Sequence, residues 1–363
     1  MGAESPLKQR ASSVAFDGGG DFLKTVRARV HEALETGQLK GCPCLQRKAL
    51  LVAAWFLGSF VLMLCVKSVW LWALLCFSYG LAASAVGFNI FHDANHGAIS
   101  SRRWVNEAAA MLASAVLGPS RYLWAYKHHV LHHRFTNIQG WDDDLETRGF
   151  LRISPHQAWK PRYRGQHVFV FALYAINAIE MVFVKDFVQY FTLRMNEHQT
   201  IPAMSRMEKL EFWAGKAIYF AIFLGLPLVL LPFWHVVVGF LIYQVTLGLS
   251  LALVFSMAHQ VERAEFPALE DATIPEEWAA HQMRTTVNFA NSSPAWNWFS
   301  GGLNHQIEHH LFPAISHTHY EAIEDIVRTT AQEFQLPYKR FDTYGQALAS
   351  HYRFLQKLSV RPA

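Results

Sequence analysis

From Ala49 to Val66 the chain carries no charged residue, Lys67 and Ser68 interrupt, and Val69 to Phe91 is again uncharged. Each run approaches the roughly 20 apolar residues that a helix needs to cross a bilayer, so the pair predicts a transmembrane hairpin with spans at about 49–66 and 69–91. A second uncharged stretch runs from Ala217 to Val261, with a natural turn from Pro232 to His235. It predicts a second hairpin, with spans at about 217–234 and 236–258. Two shorter apolar segments fit a different place. The stretch at about 168–184 contains Asn177 and Glu180 between polar flanks, which predicts a helix lying in the interface plane. The Ala- and Leu-rich stretch at about 107–124, broken by Gly118-Pro119, predicts another. Ahead of the first span, residues 21–38 read as a short amphipathic helix after Gly18-Gly19-Gly20. The pattern as a whole predicts an all-α membrane protein with four transmembrane helices in two hairpins and a cytosolic helical cap. Its parts are a cytosolic segment 1–48, a membrane domain 49–320 and a cytosolic helical tail 321–363.

Composition agrees with that class. Of 363 residues, 52% are hydrophobic and 17% charged, against a usual charged share of about 25%, which excludes a disordered or solvating chain. The net charge is +4, and the cations lie between apolar runs rather than in a stripe, so nucleic acid is not an expected partner. Their distribution sets the expected orientation. Residues 1–48 hold eight Lys and Arg and the 92–216 loop fifteen, whereas the turn at 67 has one and the turn near 235 none. The positive-inside rule then puts both termini on the cytoplasmic face. The opening residues MGAESPLKQRASS have no apolar core after a basic start, so no secretory signal is expected there. Four cysteines are too few for a disulfide scaffold, and Cys42-Pro43-Cys44 matches neither a zinc knuckle nor a redox motif.

Histidine is the anomaly, at nineteen residues. His92-Asp93-Ala94-Asn95-His96 lies directly beyond the second span, and the i, i+4 spacing presents both rings from one helix face. Lys127-His128-His129-Val130-Leu131-His132-His133 places four imidazoles in six positions. Neighbours such as His132 and His133 diverge by about 100° around a helix and so can reach two different ions. Asn304-His305-Gln306-Ile307-Glu308-His309-His310 repeats the adjacent pair, and His259 stands alone at the end of the fourth span. The topology returns all of these to one cytosolic face, whereas a metal transporter needs its ligands near the bilayer midplane. Imidazoles without thiolates suit iron, copper or zinc; so many exceed what one ion accepts, which implies two ions.

These residues resemble the membrane fatty acid desaturases, whose histidine boxes take the forms H-x(3–4)-H, H-x(2–3)-H-H and H/Q-x(2)-H-H. All three spacings occur here in order, and the third box, with Gln306 in first place and Leu311-Phe312-Pro313 after it, is similar to that of the front-end branch. The resemblance covers about residues 50–320. It implies that His92, His96, His132, His133, His309 and His310 hold two iron ions, with His259 as the additional ligand of the fourth span. The first ligand of the second box is His128 or His129, with His128 favoured; in the third box Gln306 holds the family position beside His305. Asp93, Glu308 and the run Asp142-Asp143-Asp144 are candidates for orienting imidazoles through their outer nitrogen, and a solvated loop is an equal reading of that run.

The resemblance further implies an oxidoreductase that uses molecular oxygen to place a cis double bond in a fatty acyl chain, carried as a thioester or in a lipid. Front-end desaturases of eukaryotes often carry a fused cytochrome b5 domain, and its His-Pro-Gly-Gly motif does not occur here. A separate electron donor is therefore expected: ferredoxin, cytochrome b5 or a flavin reductase system. Trp72, Tyr79, Trp124 and Trp298 are candidate walls of an acyl tunnel, and Arg102, Arg103 and Lys127 are candidate head-group contacts. The rival readings are a di-iron acyl hydroxylase or acetylenase and, from another class, a membrane zinc-binding or hydrolytic protein.

Overall fold

The computed structural model describes residues 14–34, 39–269 and 273–362; the opening segment read for a signal, and the end of the amphipathic stretch 21–38, lie outside them. Among the described residues thirteen α-helices follow one another, several of them extended by π turns. Helix α1 is Asp21–Ala33. Helices α2 (Pro43–Cys65) and α3 (Val69–Asn95) form the first hairpin, and α7 (Arg206–Leu230) and α8 (Phe233–His259) form the second. Between them lie α4 (Arg103–Leu117), α5 (121–135) and α6 (Gln166–Thr192). After α8 come α9 (Trp278–Thr285), α10 (Pro294–Phe299), α11 (Gln306–Leu311), α12 (Tyr320–Glu333) and α13 (Tyr344–Ser359).

Several boundaries move from the sequence expectation for local reasons. Helix α7 starts near residue 206 rather than 217, because Ser205 and Glu208 close a capping box around its charged first turn. The apolar segment expected at 107–124 is two helices, since Gly118 ends α4 with φ 97° and Ser120 caps the next at Leu123 N. Cys42, given no role from sequence, caps α2 at Leu45 N and is bonded to Cys44.

Among the described residues five helices, α6 included, are long and apolar enough to cross a membrane, so length and composition do not separate α6 from the two hairpins. Both ends of α6 are tied to the segment between α3 and α6. At its start the Gln166 side chain accepts from Arg152 N (2.8 Å) and donates to Arg152 O (2.7 Å). Near its end Lys185 donates to Asp143 (2.8 Å), and Asp186 accepts from Ser120 N and the Lys216 ammonium, each at 2.7 Å.

Small residues allow the helices to approach. A Cβ on Gly80 would meet Thr246 Cβ at 2.6 Å, and one on Gly248 would meet Tyr174 O at 2.5 Å, so α8 packs backbone-close against both α3 and α6. Aromatic side chains fill the hairpin core, where Tyr79 stacks on Tyr243 at 4.5 Å and meets Phe56 in a tilted pair at 4.8 Å. On the cap, Val26 and Val30 of α1 pack with Ile307, Ile323 and Val327. The C-terminal stretch is therefore part of the cap and not a free tail: α12 closes over α11, and α13 buries Leu355 with Val170 of α6.

Helix α13 also holds a buried histidine outside the three groups. His351 donates from Nδ1 to Gln260 O (2.7 Å) and accepts at Nε2 from the Tyr174 hydroxyl (3.0 Å). Burial pushes its pKa down to about 4, against about 6.5 in an unfolded chain. A depressed histidine pKa means that the neutral ring adds stability fully present above pH 6.5 and lost as pH falls towards 4. The expected loss across that window is roughly 3 kcal/mol. Thermal unfolding in detergent at pH 7, 5.5 and 4.5 checks it, and His351→Gln should flatten the dependence.

Candidate metal centre

The histidine groups converge because the helices bearing them end at one level. His92 leaves α3 after a π turn, Gly87–Phe91, and the second group lies on another, Tyr126–His132. The wider π helix brings residues five apart onto one face, and it sets His128 Nε2 3.1 Å from His133 Nε2. His309 Nε2 comes within 3.0 Å of His133 Nε2, and His92 Nε2 within 3.2 Å of His128 Nε2. With His96, these rings form one cluster: potential ligand atoms of His92, His96, His128 and His309 all lie within 4.8 Å of one another. A second cluster joins His132, His259 and His310, and Gln306 Nε2 lies 3.2 Å from His259 Nε2. The paired histidines thus divide between the clusters: His133 and His309 face one, His132 and His310 the other.

This arrangement fits metal binding better than hydrogen bonding. An Nε2 bears either one proton or one lone pair, yet the Nε2 atoms of His128 and His133 each face two others. Two nitrogens about 2.1 Å from a shared ion, at right angles to each other, lie about 3.0 Å apart, which is the spacing found. Among the described residues, the buried Nε2 atoms of His96 and His310 have no hydrogen-bond partner, and neither do those of His129 and His305. Burial first, and then neighbouring imidazoles, hold His128, His133, His309 and His310 well below the usual histidine range. These rings are therefore neutral, the form that ligates metal.

The outer nitrogens of His309, His310 and His132 are engaged, as a ligand's second ring nitrogen usually is, whereas the buried Nδ1 of His133 has no partner among the described residues. His309 Nδ1 meets Tyr320 Oη at 3.1 Å and His310 Nδ1 meets Gln282 Oε1 at 2.7 Å. His132 Nδ1 lies 3.1 Å from Asp142 Oδ1. Burial opposes protonation of His132, but Asp142 and Asp144 outweigh it and raise its pKa. The acidic run is thus buried structure at the centre and not a solvated loop: Asp143 binds Lys185, and Asp144 binds Lys127 at 2.6 Å.

Other sequence candidates lie elsewhere. His129 is in neither cluster; its ring sits 4.3 Å from that of His96. His305 turns to Asn291 (3.0 Å) and Glu324 (3.4 Å). Glu308 touches no imidazole of either cluster, accepting instead from Asn288 and Tyr338, both at 2.8 Å. Asp93 lies 3.5 Å from His92 Nδ1 and 2.6 Å from His317 Nδ1. Tyr320, Gln282 and His317 were missed from sequence, since nothing in their spacing ties them to the boxes.

Beside the clusters lies a cavity of about 570 Å³, lined by His92, His128 and His259 together with Trp124, Leu117, Leu247, Leu251 and Phe255. Its volume is that of a ligand site. Trp124 stacks on His128 at 4.4 Å. Trp72 and Tyr79 instead belong to the hairpin core, and Trp298 lies under Lys48. Lys127 lines the cavity but is held by Asp144, whereas Arg102 and Arg103 do not line it, and Arg103 pairs with Glu107.

A membrane protein with two adjoining clusters of buried imidazoles against an apolar cavity is built for oxidative chemistry on a lipid. Comparison with known proteins gives the family: residues 68–342 match the fatty acid desaturases, and the chain belongs to that family and is a fatty acyl desaturase. It is 35% identical over 361 residues to the sn-1 linoleoyl-lipid 6-desaturase of Arthrospira platensis, covering 98% of this chain and 97% of that one. To the protein of the same name from Synechocystis sp. it is 36% identical over 322 residues, 87% of this chain and 89% of the other. To the acyl-lipid (8-3)-desaturase of Mortierella alpina it is 34% identical over 315 residues, 86% of this chain and 70% of the other.

Proposed function

We propose that the chain is a front-end acyl-lipid desaturase that forms a cis double bond in a lipid-linked acyl chain beside two iron ions. His92, His96, His128, His133 and His309 would hold one ion, and His132, His259, His310 and Gln306 the other. The observation that carries this reading is the shared wall: His92 and His128 of one cluster and His259 of the other line the same apolar cavity. Iron held there supplies, when bound, the activation of dioxygen needed to remove hydrogen from an unactivated methylene. The protein's own part is position and exclusion of water. Leu117, Leu247, Leu251 and Phe255 line the cavity with apolar surface, and Trp124 fixes one face of His128. The acyl-lipid substrate is favoured by the relatives' names and by the apolar residues exposed beside the cavity, Phe150 and Ile176.

The positive-inside pattern supports a cytoplasmic histidine face, and the cap-side anchoring of both ends of α6 supports an interfacial course for that helix. Electrons would come from a separate donor, a ferredoxin, cytochrome b5 or flavin reductase system. The test is expression in a host lacking the corresponding desaturase, with double bonds located by derivatisation and mass spectrometry and metal measured on gently purified protein. New alkenes on the carboxyl side of an existing double bond, with about two irons per chain, are expected. Hydroxylated or alkynyl products would overturn the reaction, and zinc without iron would overturn the metal.

A further inference from the structure

A buried chain of side chains links three distant parts of the sequence to the metal centre. Lys48, in the first turns of α2, places Nζ 2.8 Å from His317 Nε2. His317, in the loop before α12, places Nδ1 2.6 Å from Asp93 Oδ2. The other oxygen of Asp93, in the last turn of α3, faces His92 Nδ1 at 3.5 Å. Asp93 is 2% exposed and His317 5%, so each of their polar atoms needs a partner inside the protein. Lys48 is anchored from outside this chain as well, donating to Asn297 O at 3.4 Å with its ammonium over the Trp298 ring.

The direction of this chain follows from donor chemistry alone. A lysine ammonium donates and cannot accept, so His317 Nε2 must offer its lone pair and the ring proton must sit on Nδ1. That proton is donated to Asp93, a carboxylate, which accepts at both oxygens. The free Asp93 oxygen then favours the His92 tautomer with its proton on Nδ1. His92 Nε2 is left with its lone pair pointing inward, where it lies 3.2 Å from His128 Nε2. The opposite tautomer of His317 would set an N–H against the ammonium and leave Asp93 facing a lone pair.

We propose that Lys48 and His317 are positioning residues that fix, through Asp93, which nitrogen of His92 faces the metal. This rests on the reading of His92 as an iron ligand. Neither residue touches the clusters, and neither lies in a histidine box. Their contribution is to polarise one outer contact in one direction, as outer partners of metal-bound imidazoles do.

The substitutions that separate direction from packing are available at both positions. His317→Gln can accept from Lys48 through its carbonyl and donate to Asp93 through its amide nitrogen, whereas His317→Leu does neither. Lys48→Arg keeps a donor and Lys48→Met removes it. The readout is iron release from the purified holoenzyme to a chelator in excess, followed by absorbance. Release is expected to be about ten- to a hundredfold faster in His317→Leu and Lys48→Met, and close to wild type in His317→Gln and Lys48→Arg. Should His317→Leu not accumulate, Lys48→Met decides, because it leaves the His317 ring in place. Wild-type release in Lys48→Met or His317→Leu overturns the proposal, as does release from His317→Gln as fast as from His317→Leu, which would make the role one of packing. His92→Ala, run beside them, should lose iron; if it retains wild-type iron, the ligand reading of His92 is what fails and the positioning role falls with it.

Discussion

Replacing His133 by alanine is expected to abolish desaturation while leaving the chain in the membrane. Its Nε2 lies 3.1 Å from that of His128 and 3.0 Å from that of His309, and its ring stacks on His310 at 4.3 Å, so it stands where the two clusters meet. Removing it takes one of the proposed ligands from the first cluster and the ring that spaces that cluster from the second. Product should fall by at least about a hundredfold, more than loss of an outer partner gives, with a parallel fall in iron per chain. His129→Ala is the matched control. It removes an imidazole from the same helix, but one outside both clusters, and should keep most of the activity and iron. Equal activity in the two variants would sink the assignment of His133.

The spacing of the boxes was enough to bring the right segments together, and not enough to say which ring does what. His128 and His129 are equivalent candidates on an α-helix, and a regular α-helix is what a sequence pattern implies. The chain instead runs through a π turn from Tyr126 to His132, which swings His128 onto the face of His133 and His129 towards His96. A similar ambiguity between His305 and Gln306 meets tertiary contacts that no spacing contains: Asn291 and Glu324 engage His305, and Gln306 Nε2 lies 3.2 Å from His259 Nε2. Glu308 shows the limit of reasoning by adjacency: beside two cluster histidines in sequence, it points along the opposite face to Asn288 and Tyr338. The aromatic and basic candidates could not be told apart in the sequence for a plainer reason. Membrane proteins place Trp, Tyr, Lys and Arg at interfaces in any case, so only the cavity distinguishes Trp124 from Trp72 and Lys127 from Arg103.

The apolar runs located both hairpins because burial in lipid demands about 20 uncharged residues, whatever the tertiary structure. They were less informative about α6. Its composition satisfies the same demand, while its ends are fixed by polar contacts, Gln166 with Arg152 and Asp186 with Lys216, that no hydropathy pattern contains. The same contacts hold α6 against the cavity, so the helix whose placement was least legible is one that lines the cavity beside the histidines.

Asp142→Ala is expected to cost activity about ten- to a hundredfold, and its effect on the metal should be uneven. Asp142 is fully buried and accepts from His132 Nδ1 at 3.1 Å, from Asn137 N at 2.9 Å and from Asp144 N at 3.0 Å. Alanine removes the closer of the two carboxylates at His132 Nδ1, with Asp144 Oδ2 remaining at 3.2 Å, and leaves two backbone N–H groups without partners, each worth about 1–3 kcal/mol when buried. Asn137, held at φ 61°, donates to His259 O at 3.0 Å, so the disturbance passes to a second member of the same cluster. His92 and His309 make no contact with Asp142, and their outer nitrogens keep Asp93 and Tyr320. Iron should therefore be lost mainly from the cluster of His132, His259 and His310, and bound iron should fall towards one ion per chain rather than to none. Asp142→Asn separates the two causes, because its carbonyl can still accept from His132 while the charge that raises the His132 pKa is gone. Full iron in Asp142→Asn with loss in Asp142→Ala would assign the effect to the hydrogen bond; equal loss in both would assign it to the charge; and full iron in both would remove Asp142 from the metal centre.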